Sequence, residues 1–518
     1  MNSIAFQNFR RFTNFPTLEY GGITMLVGKN NSGKSTMVKS LLLIHDFLKS
    51  KSIEYFSFGN SVIEDANIVT FDRALNHEAK KSGNDFIYFT NCIGNFEVTI
   101  LITGEGDKTS AEIKKIVIKD TVSGILFIIH ESTLGIKQSD VEINTEENAA
   151  ITELENQIAK LKILIEESSL KPSSKEYIEL IDSRTMLTKK RDELAHGLKS
   201  LGDVSNEDSE DSEVKVEADN DNEFEVNSYF GDVNDFPKIF NIAITEISSR
   251  YDLDFKKTQL GESPSEEFVN LRAFYHSKTS IESIIKAFNQ TIDNLALVYL
   301  GANPAKQSAL FAIRDKNNAL AQAIHEYKQL NIDKDKGNDA YKFIEKWMKL
   351  FEVGDSFTAE LHAGEAYEVL VSDKNSQIAL ADKGMGSIQA MLLIVRLGCI
   401  IAKAQKFKKD YTVIIEEPEL NLHPALQSKL ADLFHEVYSN YKIKLIVETH
   451  SEYLIRKTQL IVKEKEYEVK PNVNPFYTYY FDIDKGQWKM NYREDGKFVD
   501  EFGSGFYDES AILTLNLL

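Results

Sequence analysis

The sequence predicts an α/β fold: a P-loop head of mixed sheet and helices, carrying a large inserted helical region with a short antiparallel coiled-coil hairpin. Three observations predict it. The run GKNNSGKST, Gly28 to Thr36, stands between an apolar strand-like stretch (Ile23, Met25, Leu26, Val27) and a helix-like one (Met37, Val38, Leu41, Leu42, Leu43). The run YTVIIEEPELNLHP ends an apolar strand in two acids, Glu416 and Glu417, the second of them 383 residues beyond Lys34. Between these runs the hydrophobic pattern changes from strand-like alternation to the 3-4 spacing of helices.

The first 45 residues read as strand, turn, strand, P-loop and helix. Gly28 to Ser35 fit G-x-x-x-x-G-K-[ST]. Glycines at the first and sixth positions let the backbone curl so that its N–H groups face phosphate oxygens, and the following helix offers its positive N-terminus. Gly28, Lys29, Asn30, Asn31, Ser32, Gly33, Lys34, Ser35 and Thr36 are therefore the expected nucleotide-binding residues. Lys34 is expected to reach the β- and γ-phosphates of the nucleotide, and the Ser35 hydroxyl to hold Mg²⁺. The plain alternative is an ordinary glycine-rich turn, which the strand before and the helix after disfavour.

Strand patterns follow at Phe96–Thr103, Ile113–Lys119 and Ile125–His130, completing a first lobe of residues 1–148. Ile151, Leu154, Ile158, Leu161 and Ile165 then repeat with 3-4 spacing, and Leu180, Leu187, Leu194 and Leu198 continue beyond a Pro/Ser turn. Two such helices predict a coiled-coil hairpin over 149–200; two surface helices of a larger bundle are the alternative. From Asp203 to Glu225 eleven acids face one lysine, which marks 201–235 as an acidic, disordered linker. A helical insertion is expected at 236–365 and a second lobe at 366–518. The second lobe should hold two short strands from Tyr367, a helix from Ser387 to Gln405, a strand–helix–strand unit and terminal strands at Phe476–Ile483 and Trp488–Tyr492. A short terminal helix is expected after them.

Composition bounds the partners. The chain has 518 residues, 42% hydrophobic and 27% charged, with a net charge of −20. That balance disfavours a broadly basic nucleic-acid surface, although a local basic groove remains compatible with it. No wholly apolar run reaches about 18 residues, the most apolar helix (Met391 to Ala402) being broken by Arg396, so no membrane partner is expected. MNSIAFQNFRRF lacks a signal-peptide layout. Cys92 and Cys399 lie far apart and offer no metal spacing, and a reducing cytoplasm is the expected location.

Hydrolysis needs more than a phosphate cradle: a metal-side acid, a group that orients water, and a sensor of the γ-phosphate. Glu416 suits the metal side and Glu417, one residue on, the attacking water. His450 follows the next strand at its carboxyl end. Because one helix separates the two strands, they should run parallel, which gathers Glu416, Glu417 and His450 at the edge where ligands bind. The pair Asp482 and Asp484, beside Lys485-Gly486, reads as a hairpin turn rather than a metal site.

GKNNSGKST, DKGMGSIQ, IIEEPELNLHP and ETHSEYLIRK, in that order, resemble the ABC-type ATPases of the OLD/RecF/SMC branch. They are especially similar to stand-alone AAA family ATPases of bacterial anti-phage systems. The resemblance covers the first 45 residues and Asp382 to Lys457, with GFYDE (Gly505 to Glu509) also family-like. It implies that DKGMGSIQ occupies the signature position, so that Gly384, Gly386 and Ser387 cap a nucleotide bound by the opposite subunit. The loop departs from the LSGGQ form. Asn421 to Pro424 would be the loop at the dimer seam, His450 the switch histidine, and Arg10 in NFRRF a nucleotide contact. Glu416 stands where the family more often has Asp.

Three functions stay in view. One is an ATP-driven switch: a homodimer that sandwiches nucleotide and controls a separate effector protein of a defence system. Another is a repair ATPase of the RecF/SMC type that clamps DNA. The third, a fused nuclease of the OLD type, is disfavoured because fewer than seventy residues follow His450. Charge favours the switch.

Overall fold

The hexapeptide ITMLVG has no polar face, and the strand it forms, Ile23–Gly28, is buried throughout. Such a strand has to lie inside a sheet covered on both sides. The computed structural model, which describes residues 2–58, 70–138, 224–302, 308, 310–316, 318–373, 376–469, 474–503 and 506–507, places it there. The expected hairpin, the expected terminal helix and Gly505, Asp508 and Glu509 of GFYDE lie outside the described residues.

The central sheet has six strands in the order Leu295–Leu300, Asp410–Glu416, Lys444–Thr449, Ile23–Gly28, Phe476–Asp482 and Gly486–Met490. The first five run parallel and the last returns antiparallel. The P-loop strand is thus separated from the strand carrying Glu416 by the strand leading to His450. Alternation along these strands assigns their faces. Leu26, Ile414 and Ile446 join the core shared with the helix Lys34–Ser50. Met25, Val413 and Leu445 join a second core on the opposite side, with the helices Met385–Phe407 and Pro424–Tyr441.

A second, nine-stranded sheet orders as Phe224–Tyr229, Thr133–Gln138, Ile125–His130, Ser110–Asp120, Phe96–Thr103, Phe86–Ile93, Asn2–Phe9 and Phe12–Tyr20, with Phe56–Ser57 paired to Ser110–Asp120. A small sheet forms from Phe311–Ala312, Ser356–His362, Ala366–Asp373 and Ser376–Ala379. The chain divides into two compact units. One comprises Met1–Thr121, Ile125–Lys137 and Phe224–Leu518, and contains every element named above except Gln138; the other comprises Val122–Gly124 and Gln138–Glu223.

Several expectations change in detail. Three strands, not two, precede the P-loop: Asn2–Phe9 and Phe12–Tyr20 form a hairpin ahead of Ile23–Gly28. The strand Phe224–Tyr229 falls inside the segment expected to be acidic linker. The expected helical insertion contains the helices Phe236–Gln259, Phe268–Asn294, Ala319–Gln329 and Asp339–Leu350. It also supplies the edge strand Leu295–Leu300 to the central sheet and the strands Phe311–Ala312 and Ser356–His362. The helix Met385–Phe407 is long and apolar enough by composition to cross a membrane, with a mean hydropathy of 1.9, but 67% of its apolar window is buried in the second core.

Candidate nucleotide site

The P-loop takes its shape from a close approach. Gly28 has φ +142°, and a Cβ there would lie 2.1 Å from the Phe481 carbonyl oxygen, so only glycine fits where the loop leaves the sheet. Lys34 folds back over the loop and donates to the carbonyls of Gly28 and Lys29 at 2.9 and 3.0 Å. Its ammonium is buried, which lowers its pKa, while Glu448, Glu417 and Glu419 oppose that shift. Asn30 to Thr36 line an open cleft of about 880 Å³ together with Arg10, Arg11, Lys39, Arg73, Glu417 and Glu448.

The parallel strands bring acids to the same edge, as their register requires. Glu416 and Glu448 are directly paired across neighbouring strands. The carboxylate that meets the P-loop is Glu448: its oxygens lie 3.0 and 2.9 Å from Ser35 Oγ, and one lies 3.8 Å from Lys34 Nζ. Burial pushes its carboxyl up to about 7, against the pull of Lys34. Glu416, expected on the metal side through a water of the Mg²⁺ shell, accepts hydrogen bonds from the Tyr299 side chain and the Ala302 backbone, and burial raises its pKa. Tyr299 belongs to the edge strand Leu295–Leu300, which the sequence did not reveal.

Glu417 sits in a left-handed conformation, φ +46°, with its N–H donating to the Glu448 carbonyl at 2.8 Å. That turn aims its carboxylate into the cleft, where it approaches His450 Nε2 to 4.0 Å. Burial and then the charge of Lys34 push His450 down to about 4, so the ring is neutral near pH 7 and the contact is a close approach rather than an ion pair. The structure brings Lys34, Ser35, Glu417 and His450 to the same edge of the sheet.

Arg10 lines the cleft in a left-handed turn, held by its N–H to the Ala74 carbonyl at 2.6 Å and by Asn76 to its own carbonyl at 2.7 Å. Burial and neighbouring Arg73 lower its pKa. Gly384, Gly386 and Ser387 do not line the cleft. Gly384 N-caps the helix Met385–Phe407, and Gly386 packs on the backbone of Asn421. Asp482 Oδ1 accepts from the N–H groups of Asp484 and Lys485 at 2.9 and 3.0 Å, closing the hairpin turn the sequence predicts.

Sequence reasoning missed Glu448, Lys39 and Arg73. Lys39 was legible, because it stands four residues after Ser35 on one helix face. Glu448 was legible only as one acid within the apolar strand KLIVET. Arg73 carries no local signal.

A family described as AAA ATPase domain matches residues 1–455. The chain belongs to that AAA ATPase domain family. Among curated proteins none matches the chain. Among solved structures, this ATPase domain is similar to the Smc head domain with an extended coiled coil bound to the C-terminal domain of ScpA, derived from Pyrococcus furiosus. The identity is 13% over 100% of this chain and 99% of that one, with a TM-score of 0.32. A SmcHead bound to the C-winged helix domain of ScpA matches at 11% identity over 99% and 98% of the two chains, with a TM-score of 0.30.

The residues present fit a magnesium nucleotide. Ser32 Oγ is buried in the loop without a hydrogen-bond partner, and the cleft is lined by the cations Arg10, Arg11, Lys34, Lys39 and Arg73 with the acids Glu417 and Glu448. Among the described residues no group of three or more His, Cys, Asp or Glu is placed to hold a metal. Magnesium bound through phosphates needs no such cage, only a hydroxyl and one or two carboxylates.

Proposed function

We propose that the chain is an ATP-hydrolysing, ABC/SMC-like switch that works as a homodimer with nucleotide sandwiched between two heads. In this reading it controls a separate effector protein of a bacterial anti-phage system, in the cytoplasm. The observation that carries the reading is the meeting of Ser35 and Lys34 with Glu448 and Glu417 in one cleft, from segments more than 380 residues apart. When bound, magnesium ATP supplies the phosphoanhydride bond to be broken. Lys34 would neutralise phosphate oxygens, and Ser35 and Glu448 would hold the metal side with Glu416 beside them. Glu417 orients the attacking water, and neutral His450 donates or accepts a hydrogen bond at the γ-phosphate end.

The position of Gly384, Gly386 and Ser387 away from their own cleft supports action on a partner's nucleotide. The defence role and the effector rest on the motif resemblance. The DNA-clamp alternative would draw support from salt-steep DNA binding by the same protein.

The test is equilibrium ATP binding and phosphate release by the whole chain beside Lys34→Ala. Loss of both in the variant, with an unchanged melting temperature, is expected. Equal ATP affinity in the two proteins sinks the site. For the switch, co-purification of a neighbouring effector in ATP is expected, and its absence in every nucleotide state counts against it.

A further inference from the structure

Glu419 is the third acid of EEPE, and neither the motif nor the chemistry above uses it. One of its oxygens accepts the backbone N–H of His450 at 2.6 Å, and the Thr449 side chain, one residue earlier in the same turn, also hydrogen-bonds the carboxylate. The carboxylate therefore reaches from the turn after one strand to the turn after its neighbour, and fixes the backbone that carries the histidine ring.

A second connection runs beside it. The Ser451 hydroxyl donates to Gln427 Oε1 at 2.6 Å, and Gln427 Nε2 donates to the Leu422 carbonyl at 3.0 Å. On the Glu419 side the turn is tight: the N–H of Leu420 donates to the Glu417 carbonyl and that of Leu422 to the Glu419 carbonyl, at 3.1 and 3.0 Å. Asn421, between them, has φ +61°. Its carbonyl faces Gly386 so closely that a Cβ there would lie 2.7 Å away. The path from His450 to the DKGMGSIQ loop is thus continuous: one carboxylate, one tight turn, one backbone contact.

We propose that Glu419 is a positioning residue that clasps the His450 turn to the Asn421 turn. Through it, the placement of the histidine and that of the Gly386 turn, the first of the helix Met385–Phe407, are set together. The clasp itself is geometric, whereas its consequence for turnover rests on the ATPase reading above. A hydrogen bond from a backbone N–H to a carboxylate is stronger than one between neutral groups, and a rigid link of this kind lets one loop bias another.

The experiment compares the whole chain with Glu419→Ala and Glu419→Gln, with Lys34→Ala as control. Amide hydrogen exchange is read in peptides covering Thr449–Ser451 and Asp382–Gln389. ATP affinity, kcat and KM are measured on the same samples. In Glu419→Ala, exchange should quicken at least about threefold in both peptides, while Glu419→Gln, whose amide oxygen still accepts from His450, stays near wild type. ATP affinity and KM should hold within about threefold while kcat falls about tenfold or more, which corresponds to ~1.4 kcal/mol in the barrier. Faster exchange at Thr449–Ser451 alone overturns the link to the Gly386 turn. An alanine variant with unchanged exchange at both peptides, or a glutamine variant as loose as alanine, overturns the clasp. Should the wild type and Lys34→Ala both lack turnover, the ATPase reading fails, and the exchange data still decide the clasp.

Discussion

Ser35 Oγ lies 2.9 Å from Glu448 Oε2, and that contact joins the first turn of the P-loop helix to the end of a strand 413 residues later. It puts a buried carboxylate against the P-loop serine, one strand over from Glu416, the acid that motif reading selects. In Glu448→Gln the charge is removed and the shape kept. ATP without magnesium should then bind better, since a repelling charge has gone, and ATP with magnesium should bind worse. The ratio of the two dissociation constants, measured in EDTA and in excess Mg²⁺, is expected to fall about tenfold, or ~1.4 kcal/mol of metal linkage. A ratio equal to that of wild type would assign the metal side to Glu416 instead.

The backbone beneath the cleft sets a second expectation. Ala at position 28 cannot avoid the Phe481 carbonyl, because its Cβ is fixed to the backbone of one strand and the carbonyl belongs to the backbone of the adjacent parallel strand. Gly28→Ala should destabilise the chain by about 3 kcal/mol or more, combining steric overlap with an unfavourable positive φ. Thermal melting checks it, and a drop of less than 2 °C would mean that the strand ends move apart freely.

How far the sequence carried the fold depends on the signal each element leaves. Ser110–Asp120, Ile125–His130 and Phe96–Thr103 alternate in burial as they alternate in sequence, and were legible. The edge strand LALVYL was not: it follows directly on the helix ending at Asn294, with no Gly or Pro between them, and a short apolar run fits a helix equally well. The hairpin joining Asn2–Phe9 to Phe12–Tyr20 turns through Asn8 and Arg10 at positive φ, where a glycine would have announced it. At the site, contiguous motifs gave Lys34, Ser35 and Glu417, because local spacing encodes them. Glu448 depends on which strand lies between two others, and that order is a property of the sheet.

His45 is the clearest pH-dependent group away from the phosphate edge. It stands on the P-loop helix beside a small cavity lined by Tyr20, Asn91 and Asp410, and its Nε2 is buried without a hydrogen-bond partner. Burial, and then Lys49, push it down to about 4 from the usual 6.5. Between those values the unfolded chain binds a proton that the folded chain refuses, so this group makes stability rise with pH up to about 6.5 and leaves it flat above. Its contribution to the loss between pH 6.5 and 4 is about 1–3 kcal/mol. His45→Phe should therefore lose less stability than wild type on going from pH 7.5 to pH 5, as read by denaturant midpoints. Parallel losses in the two proteins would show that the histidine accepts its proton in the fold.

Glu417 tests whether the unit of action is a pair. Its left-handed backbone conformation costs about 1 kcal/mol or more for a non-glycine residue, and it aims the carboxylate into the cleft rather than along the strand. Glutamine keeps that geometry and the contact with the His450 side, but it cannot act as a base toward water. Glu416 and Glu448 are untouched, so ATP should still bind, within about threefold of wild type, while turnover falls about a hundredfold or more. If Gly384, Gly386 and Ser387 serve a partner's nucleotide, the stalled variant should accumulate as a dimer in ATP and return to monomer in ADP. Light scattering coupled to gel filtration reads both states. An ATP-loaded, hydrolysis-dead monomer would confine catalysis to one head and remove the signature-like loop from the site, and full turnover in the variant would free Glu417 of its role in orienting water.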